Sequence, residues 1–352
     1  MISLSIGRKT TAASLFRATT YRYVQRPLST SHALRAPKEQ SVSPLAPIGV
    51  AAAYDAKQNP SHKPRPKIFD EFALSDRVGI VSGGNRGLGL EMALALCEAG
   101  ARAIYCFDLP ETPSEDWQTT KEFVERLGNG SRLEYVSVDA TNQEAVWKKG
   151  EEVGDKEKRM DVCIAAAGIL KAHTDCLEYP SSQFQQVMNV NVNGVLFTAQ
   201  AAGRQMRRFG NPGSIILIAS MSGTITNRDH AWVSYNSSKS AVLQMTRSMA
   251  CELAKENIRV NSLSPGHIYT KYALVSNSSR IDEPYILTKF DRMTAAYLDS
   301  QPHLLEKWSN LNPMGRIGRS DEMRGVVTWL ASDASSFCTG SDILVSGGHH
   351  SW

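Results

Sequence analysis

The sequence predicts an α/β fold in which a single doubly wound parallel sheet is covered by helices on both faces. Two observations predict it. From residue 77 onward, short β-branched apolar runs alternate with longer segments of helical pattern, and a glycine-rich turn separates the first run from the first helix. Strands that are apolar on both faces and separated by helices are typical of a buried parallel sheet. Right-handed crossovers then place ligands at the carboxyl ends of the strands.

The individual elements follow from the apolar runs and the helical periodicity between them. The strands are predicted at residues 78–82, 103–107, 133–138, 162–166, 214–219, 259–263 and 343–345. The helices are predicted at residues 88–98, 115–127, 142–153, 183–209, 235–255 and 321–332. Within the fourth predicted helix, three asparagines and a glycine at 189–194 are poor helix formers, so a local bulge is expected there.

The basic residues are concentrated at the amino end of the chain. The formal net charge is +4, but residues 1–38 hold seven basic residues and no acidic one, which leaves 32 basic against 35 acidic residues in the rest. The body is therefore mildly acidic, and nothing predicts a nucleic-acid partner. No apolar run reaches the ~18 residues that a membrane span needs, so no membrane partner is expected either.

The first 35 residues have the composition of a mitochondrial presequence. They are rich in Arg, Ser and Thr, lack acidic residues and have a weakly amphipathic middle. We therefore expect a matrix protein, and a basic tail on a cytoplasmic protein is the alternative. Residues 36–68 contain six prolines and predict a linker or arm, and the main α/β domain is expected at 69–352 with a lid at about 266–315.

The six cysteines show no CxxC pair and no zinc-ligand spacing. Most lie in apolar segments, where a free cysteine packs as a small hydrophobic side chain. His349 and His350 are adjacent, but no third ligand accompanies them. No metal site is predicted.

A glycine-rich loop follows the first predicted strand and opens the first helix, with the spacing G-x-x-x-G-x-G. Glycines let the backbone turn sharply and approach phosphate, while the helix N-terminus offers free N–H groups. The context predicts a dinucleotide site in a Rossmann-type domain. Its predicted cofactor-binding residues are Ser82, Gly83, Asn85, Arg86, Gly87, Leu88 and Gly89.

Two acidic residues end the next strands. Asp108 lies about 20 residues beyond the glycines, where a carboxylate accepts hydrogen bonds from ribose hydroxyls and repels a 2′-phosphate, which favours NAD. Arg86 is a contrary signal, because a guanidinium there pairs with the 2′-phosphate of NADP. Asp139 is either a contact to the adenine edge or a helix N-cap before Thr141 and Asn142.

Tyr235 and Lys239 begin a predicted helix, and their spacing of four places them on one helical face. A nearby ammonium is expected to lower the Tyr235 pKa from about 10 and so enable proton transfer near neutrality. Ser220 ends the preceding strand and can hydrogen-bond the substrate oxygen. This arrangement predicts hydride transfer between a nicotinamide and a carbonyl carbon, with Tyr235 moving the proton.

These motifs together resemble the short-chain dehydrogenase/reductase family over about residues 76–348. The glycine loop is similar to that family's T-G-x-x-x-G-x-G, with Ser82 in place of Thr, and residues 165–168 stand where the family often has N-N-A-G. The resemblance implies that Ala166 and Gly168 contact the cofactor, as do Tyr235 and Lys239. It also implies that Asn191 is a catalytic residue holding a water that relays protons to the lysine. Ser220 matches the family's S-x-x-G serine, although Ser222 would satisfy a commoner spacing to Tyr235.

The segment after the sixth strand resembles the family's P-G-x-I-x-T element, which implies cofactor contacts from Pro265, Gly266, Ile268 and Thr270. The resemblance also implies a homotetramer or homodimer built through the two long helices. Locally, the residues around Ser220 and Tyr235 are similar to fungal polyol dehydrogenases and ketose reductases acting on arabinitol, mannitol and sorbose. An acyl or polyketide-type ketone, or a catalytically idle NAD(H)-binding scaffold, remains the alternative.

Overall fold

A computed structural model describes residues 43–61, 63–171, 174–270 and 303–352. The predicted presequence, and part of the predicted lid, lie outside these ranges. Residues 45–352 form one compact unit. Nine strands are described: β1 (Val78–Ser82), β2 (Ala103–Asp108), β3 (Arg132–Ser137), β4 (Val162–Ala165), β5 (Gly213–Ile218), β6 (Ile258–Pro265), β7 (Ile268–Tyr269), β8 (Gly318–Arg319) and β9 (Asp342–Val345).

Seven of these strands form one sheet in the order β3-β2-β1-β4-β5-β6-β9, and every neighbouring pair is parallel. Every residue of β1, β4 and β5 is buried, which explains their continuous apolar sequences. Strand order reverses between β1 and β4, so the carboxyl ends of these two strands border the crevice in which ligands bind in such sheets. The predicted doubly wound fold is confirmed.

Nine α-helices are described in these ranges, and most of them connect successive strands across the faces of the sheet. They are α1 (Gly49–Gln58), α2 (Gly87–Glu98), α3 (Glu115–Arg126), α4 (Gln143–Glu157), α5 (Ser181–Met188), α6 (Val195–Phe209), α7 (Val233–Leu253), α8 (His303–Asn310) and α9 (Arg324–Ala331).

The predicted helix at 183–209 is divided by a π-helical segment, Asn189–Gly194, between α5 and α6. The asparagines and glycine that predicted a bulge form this segment. π-helical turns insert an extra residue into a helix and are frequent at functional sites. The turn places Asn191 in the interior, where it is fully buried.

Residues 36–68 were predicted as a linker, and the structure adds a helix, α1, within them. None of its residues is buried, and Val50 and Tyr54 are exposed. The Lys67 ammonium donates hydrogen bonds to the carbonyls of Leu45 and Pro47, which ties the start of the described chain to the segment before β1. The helix therefore forms without contributing to the core.

The sheet has a separate hydrophobic core on each face. One core joins α2 and α9 to the sheet through residues such as Leu96, Ile104 and Val327. The other joins α4, α6 and α7 to the opposite face and includes Met206 and Val242. A third, smaller cluster of Trp232, Leu304, Trp308 and Ile317 lies beside Tyr235. Among the described residues, no helix is long and apolar enough to cross a membrane.

Candidate active site

The glycine-rich loop turns tightly between β1 and α2 because three of its glycines fill positions that a side chain would obstruct or strain. Gly83 (φ +68°) and Gly87 (φ +57°) have left-handed backbones, and a Cβ on Gly83 would lie 3.0 Å from Ala167. A Cβ on Gly89 would lie only 2.1 Å from the Gly83 carbonyl oxygen. The start of α2 therefore packs directly on the turn, which brings its N-terminal N–H groups to the end of β1.

Two polar residues of the predicted cofactor set hold this loop in place. The Ser82 hydroxyl accepts hydrogen bonds from the backbone N–H groups of Ala166 and Ala167, at 3.2 and 3.3 Å, and so links the ends of β1 and β4. The Asn85 side-chain oxygen accepts from the Ser114 N–H at 2.7 Å, and the Ser114 hydroxyl donates to the Asn85 carbonyl. Sequence reasoning missed both contacts, because their partners are distant in the chain.

Asp108 ends β2 beside the glycine loop. Its Oδ2 accepts from the Asn85 N–H at 3.1 Å, and its Oδ1 accepts from the Leu109 N–H at 2.8 Å. These two bonds orient the carboxylate at the edge where a dinucleotide's adenosine ribose binds in this fold. Arg86 is exposed on the neighbouring turn, so both signals for cofactor choice lie at the same edge.

Asp139 is exposed, and its Oδ1 accepts from the N–H and the hydroxyl of Thr141, both at 2.8 Å. It does not cap a helix, since α4 begins at Gln143 and its N-cap is Asn142, which accepts from Ala145. The alternative prediction that Asp139 is a helix N-cap is therefore wrong, because the N-cap lies three residues later in the chain. Its contact to adenine stays a prediction.

Ser220, Tyr235 and Lys239 meet at the carboxyl end of β5. The Ser220 hydroxyl lies beside the Tyr235 phenol, whose pKa it lowers, and it accepts from the Ser222 N–H at 3.2 Å. Gly223 lets this turn pack on α7, since a Cβ there would lie 2.8 Å from the Lys239 backbone. Of the two candidate serines, Ser220 is therefore the one that contacts the tyrosine.

Lys239 is 4% exposed, and its Nζ lies 5.6 Å from the centre of the Tyr235 ring. The ammonium donates to the Ile218 carbonyl at 2.8 Å. Burial lowers the Lys239 pKa to about 8, because removal from water penalises the charged form.

The expected lowering of the Tyr235 pKa by Lys239 is wrong for this structure. Burial raises the Tyr235 pKa above its usual value, and the Ser220 hydrogen bond lowers it by less. The reason is geometric: the ammonium lies toward the ring and bonds the Ile218 carbonyl rather than the phenol oxygen. The phenol is therefore a proton donor at neutral pH.

Asn191 joins three parts of the site through its side-chain amide. Its Oδ1 accepts from the Ile169 N–H at 2.8 Å, and its Nδ2 donates to the Ile169 carbonyl at 2.9 Å and to the Ser238 hydroxyl at 3.0 Å. A Cβ on Gly168 would lie 3.5 Å from Asn191 Oδ1 and 3.7 Å from Lys239 Nζ. Gly168 thus leaves open space directly beside the lysine.

The segment after β6 closes the site from another side. Pro265 ends β6 and is buried, and a Cβ on Gly266 would lie 2.7 Å from Ser346. Ile268 and Thr270 are 4% and 9% exposed. Ile268 belongs to β7, which pairs with β8, so the predicted cofactor contacts of this segment are held by a second, two-stranded sheet.

The structure also places ring side chains around Tyr235 that the sequence did not single out as a group. Trp232 and Tyr235 meet edge to face, with ring centres 6.3 Å apart. Tyr269 and Trp308 from the predicted lid belong to the same cluster, whereas Tyr272, Tyr285, Phe290 and Tyr297 lie outside the described residues. Among the described residues, no group of three metal-ligating side chains occurs.

Comparison with known proteins agrees with this geometry. Residues 83–350 match the family model described as enoyl-(acyl carrier protein) reductase. A sorbose reductase of Schizosaccharomyces pombe is 34% identical over 79% of this chain and 97% of its own length. A short-chain dehydrogenase/reductase of Aspergillus versicolor is also 34% identical, over 82% of this chain and 92% of its own.

A further relative, an NADP-dependent mannitol dehydrogenase of Hypocrea jecorina, is 30% identical over 80% of this chain and 96% of its own length. Among solved structures, a short-chain type dehydrogenase/reductase from Mycobacterium marinum is 33% identical, with a TM-score of 0.68 over 80% of this chain and 98% of that one. The chain belongs to the short-chain dehydrogenase/reductase family. It is an NAD(P)-dependent oxidoreductase acting on an alcohol or a carbonyl, and the idle-scaffold alternative is set aside.

The residues present fit a dinucleotide. The Gly83–Gly89 contact leaves no side chain between the turn and α2, and Asp108 is preoriented at the ribose edge. Gly168 leaves space beside Lys239 at the other end of the crevice. An extended dinucleotide requires free space at its phosphate end and at its nicotinamide end. At both ends, glycines leave open the volume that a Cβ would fill.

Proposed function

We propose that this enzyme is a polyol dehydrogenase, which interconverts a secondary alcohol of a sugar alcohol and the corresponding ketose. The observation that carries the proposal is the meeting of Ser220 and Tyr235 beside the buried Lys239, in a chain whose relatives include enzymes named for sorbose and mannitol. The geometry of the site supports proton transfer by Tyr235, and the similarity to these relatives supports the substrate class.

The roles of the three side chains follow from their contacts. When bound, the nicotinamide cofactor supplies or accepts the hydride. Tyr235 donates its phenolic proton to the carbonyl oxygen in reduction and takes it back in oxidation. Ser220 hydrogen-bonds that oxygen and the phenol, which stabilises the developing negative charge. Lys239, fixed by the Ile218 carbonyl at 2.8 Å, lies against the ring of Tyr235 and not at its phenol oxygen, so its role is to hold the ring in place.

Asn191 acts in this scheme as a positioning residue. Both of its amide hydrogens are used, one on the Ile169 carbonyl and one on Ser238. Ser238 in turn donates to the Tyr235 carbonyl at 2.7 Å. The contacts therefore link the end of β4 to the first turn of α7 and fix the tyrosine backbone. The water relay implied by the family resemblance remains part of the proposal.

A buried amide in the loop before α7 favours a hydroxylated substrate. Asn227 is 3% exposed, and neither its Nδ2 nor its Oδ1 has a hydrogen-bond partner among the described residues. A buried unsatisfied amide costs about 1–3 kcal/mol. A sugar-alcohol hydroxyl is both donor and acceptor and would satisfy either atom, whereas an acyl chain would not.

We propose NAD as the preferred cofactor. Both Asp108 oxygens are oriented by backbone N–H groups at the ribose edge, and a fixed carboxylate there repels a 2′-phosphate. The exposed Arg86 and the NADP dependence named for the mannitol dehydrogenase relative favour the alternative.

We further propose delivery to the mitochondrial matrix through residues 1–35, and assembly into a homotetramer or homodimer through α5, α6 and α7. The first is tested by imaging the full chain and a variant lacking residues 1–35 as fluorescent fusions. Loss of mitochondrial signal on truncation is expected, and equal distribution of both would refute it. Light scattering tests the second, because a monomeric mass would exclude it.

The substrate class is tested by following absorbance at 340 nm with NAD and NADP against pentitols, hexitols, their ketoses and acyl ketones. Turnover of a polyol–ketose pair is expected, and turnover of acyl ketones alone would overturn the proposal. Asn227→Leu serves as the substrate-side variant. It should raise KM for the polyol while leaving cofactor affinity unchanged and the melting temperature equal or higher, since it removes unsatisfied polar atoms at similar volume.

A further inference from the structure

Two ring stacks lie beside the catalytic tyrosine. In the first, the His230 imidazole lies parallel to the Trp232 indole, with ring centres 4.2 Å apart and an angle of 10° between planes. Trp232 then meets the Tyr235 ring edge to face. This stack lies in the loop that leads into α7, and the contact of Trp232 with Tyr235 connects it to the catalytic residue.

The second stack belongs to α8 and the loop after β6. The Trp308 indole lies parallel to the His267 imidazole, with centres 4.0 Å apart and an angle of 3°. The edge of His349, near the carboxyl terminus, meets His267 with centres 5.3 Å apart. Trp308 is 2% exposed, so its indole N–H is enclosed by protein.

One hydrogen bond joins the two stacks. Trp308 Nε1 donates to His230 Nε2 at 3.1 Å, and the two rings are inclined at 65°. An indole N–H can only donate, so the accepting nitrogen of His230 carries no proton and a neutral imidazole holds its proton on Nδ1. The contact therefore selects one protonation state and one tautomer of His230.

The same two segments also meet at the surface, where Lys307 pairs with Asp229 at 2.9 Å. Each member of this pair directly precedes a member of the buried one. An exposed ion pair contributes little stability, so the position of α8 against the loop depends mainly on the buried hydrogen bond and on the packing of Trp232 with Leu304 and Trp308.

We propose that His230 and Trp308 are positioning residues, and that their hydrogen bond, the His230–Trp308 bridge, fixes α8 against the loop carrying Trp232. The bridge sets the position of the indole that touches Tyr235 and, through it, the substrate side of the site. Its loss should therefore weaken substrate binding more than it slows the chemical step. The expected effect on substrate binding rests on the proposed dehydrogenase function. The effect on the position of α8 can be measured without a substrate.

Two substitutions remove the bridge from opposite sides. His230→Phe keeps a ring to stack on Trp232 but removes the acceptor, and Trp308→Phe keeps a ring to stack on His267 but removes the donor. Because both remove the same bond, the double variant should be no worse than either single variant. His230→Gln retains an oxygen that can accept the Trp308 hydrogen bond, so its losses should be smaller than those of His230→Phe. Trp329→Phe is the matched control, since it removes an indole bond of 3.1 Å to the Ala334 carbonyl.

Hydrogen–deuterium exchange of the α8 amides, residues 303–310, is the substrate-independent measurement. Each single variant should speed their exchange about tenfold, with no further increase in the double variant and no change in Trp329→Phe. With the substrate found in the panel above, KM should rise about tenfold and kcat fall less than threefold, and His230→Gln should recover part of the KM.

Unchanged α8 exchange in His230→Phe, or additive effects in the double variant, would overturn the bridge. Faster exchange with an unchanged KM would overturn its positioning role and leave a purely structural contact. If no substrate in the panel turns over, the proposed function fails, and the exchange data still decide whether the bridge holds α8.

Discussion

Lys239 approaches Tyr235 through the face of the ring: its ammonium lies 5.6 Å from the ring centre and hydrogen-bonds the Ile218 carbonyl at the end of β5. The lysine is therefore fixed by the sheet, while the tyrosine is held by Ser220. Ile218 is the last residue of β5 and Ser220 follows it by two residues, so the end of one strand positions two residues that lie one helical turn apart on α7.

The burial of Lys239 makes stability depend on pH. Its folded pKa of about 8 lies below the ordinary 10.5, so the unfolded chain binds more protons between these values and stability rises with pH in that window. The cost is fully present below pH 8 and is relieved as pH increases toward 10.5. Lys239→Met removes the titrating group and should be the more stable protein at pH 7.

Urea unfolding of both proteins at pH 7 and pH 9.5 measures this effect. The advantage of Lys239→Met over the parent should shrink by on the order of 2 kcal/mol between the two values. Ser240→Ala, an exposed neighbour on α7, provides the control for general alkaline effects. A difference that stays constant with pH would show that Lys239 is not desolvated.

Cofactor choice should depend on Asp108. Asp108→Asn removes the charge and keeps an acceptor for only one of the two backbone N–H groups. The ratio of kcat/KM for NAD over NADP should therefore fall at least tenfold. Arg86→Ser should raise that ratio, because it removes the one guanidinium in the turn. Steady-state kinetics with both cofactors measures the ratios. An unchanged ratio in Asp108→Asn would contradict the assignment of Asp108 to the ribose edge.

The packing of α2 on the glycine turn predicts a steep cost for Gly89→Ala. Its Cβ would lie 2.1 Å from the Gly83 carbonyl, so the helix must move away and the affinity for NADH should fall more than tenfold by fluorescence titration. Gly325→Ala is the matched control. Nothing lies within 4 Å of a Cβ there, and in α9 it should stabilise by about 0.5–1 kcal/mol. Equal NADH affinity in Gly89→Ala would argue against a phosphate cradle at this turn.

Asn191→Ala should both destabilise the protein and lower its kcat. It leaves the Ile169 N–H and carbonyl without their side-chain partner, which predicts a loss of about 2–4 kcal/mol in the free energy of unfolding. Because the first turn of α7 loses its Ser238 link, kcat should fall by at least tenfold. Asn193→Ala, exposed in the same π-helical segment, should change neither quantity by much, and similar losses in both variants would refute a specific role.

The seven strands of the main sheet, taken along the chain, and most of the helices between them could be predicted from the sequence, because buried strands leave continuous apolar runs. The π-helical segment was also foreseeable, since Asn189, Asn191 and Asn193 interrupt a helical pattern. The spacing of four residues also predicted that Tyr235 and Lys239 lie close together, since an i, i+4 relationship on a helix needs no knowledge of the tertiary fold.

What the sequence could not predict depends on contacts between distant segments. The direction of the Tyr235 pKa is set by burial and by the Ile218 carbonyl that engages Lys239. The roles of Ser82 and Asn85 depend on partners 84 and 29 residues away. The meeting of His230 with Trp308 spans 78 residues. No periodicity or motif spacing encodes such pairs.

Proton transfer by Tyr235 is tested most directly by Tyr235→Phe with the polyol and cofactor identified in the panel. The variant keeps the ring that packs on Trp232 and Lys239 but loses the phenolic oxygen. We expect unchanged NADH affinity and a kcat at least a thousandfold lower, because general acid–base catalysis and the contact of the phenol with Ser220 are both lost. A Tyr235→Phe enzyme that retains a tenth or more of the parent kcat would contradict it.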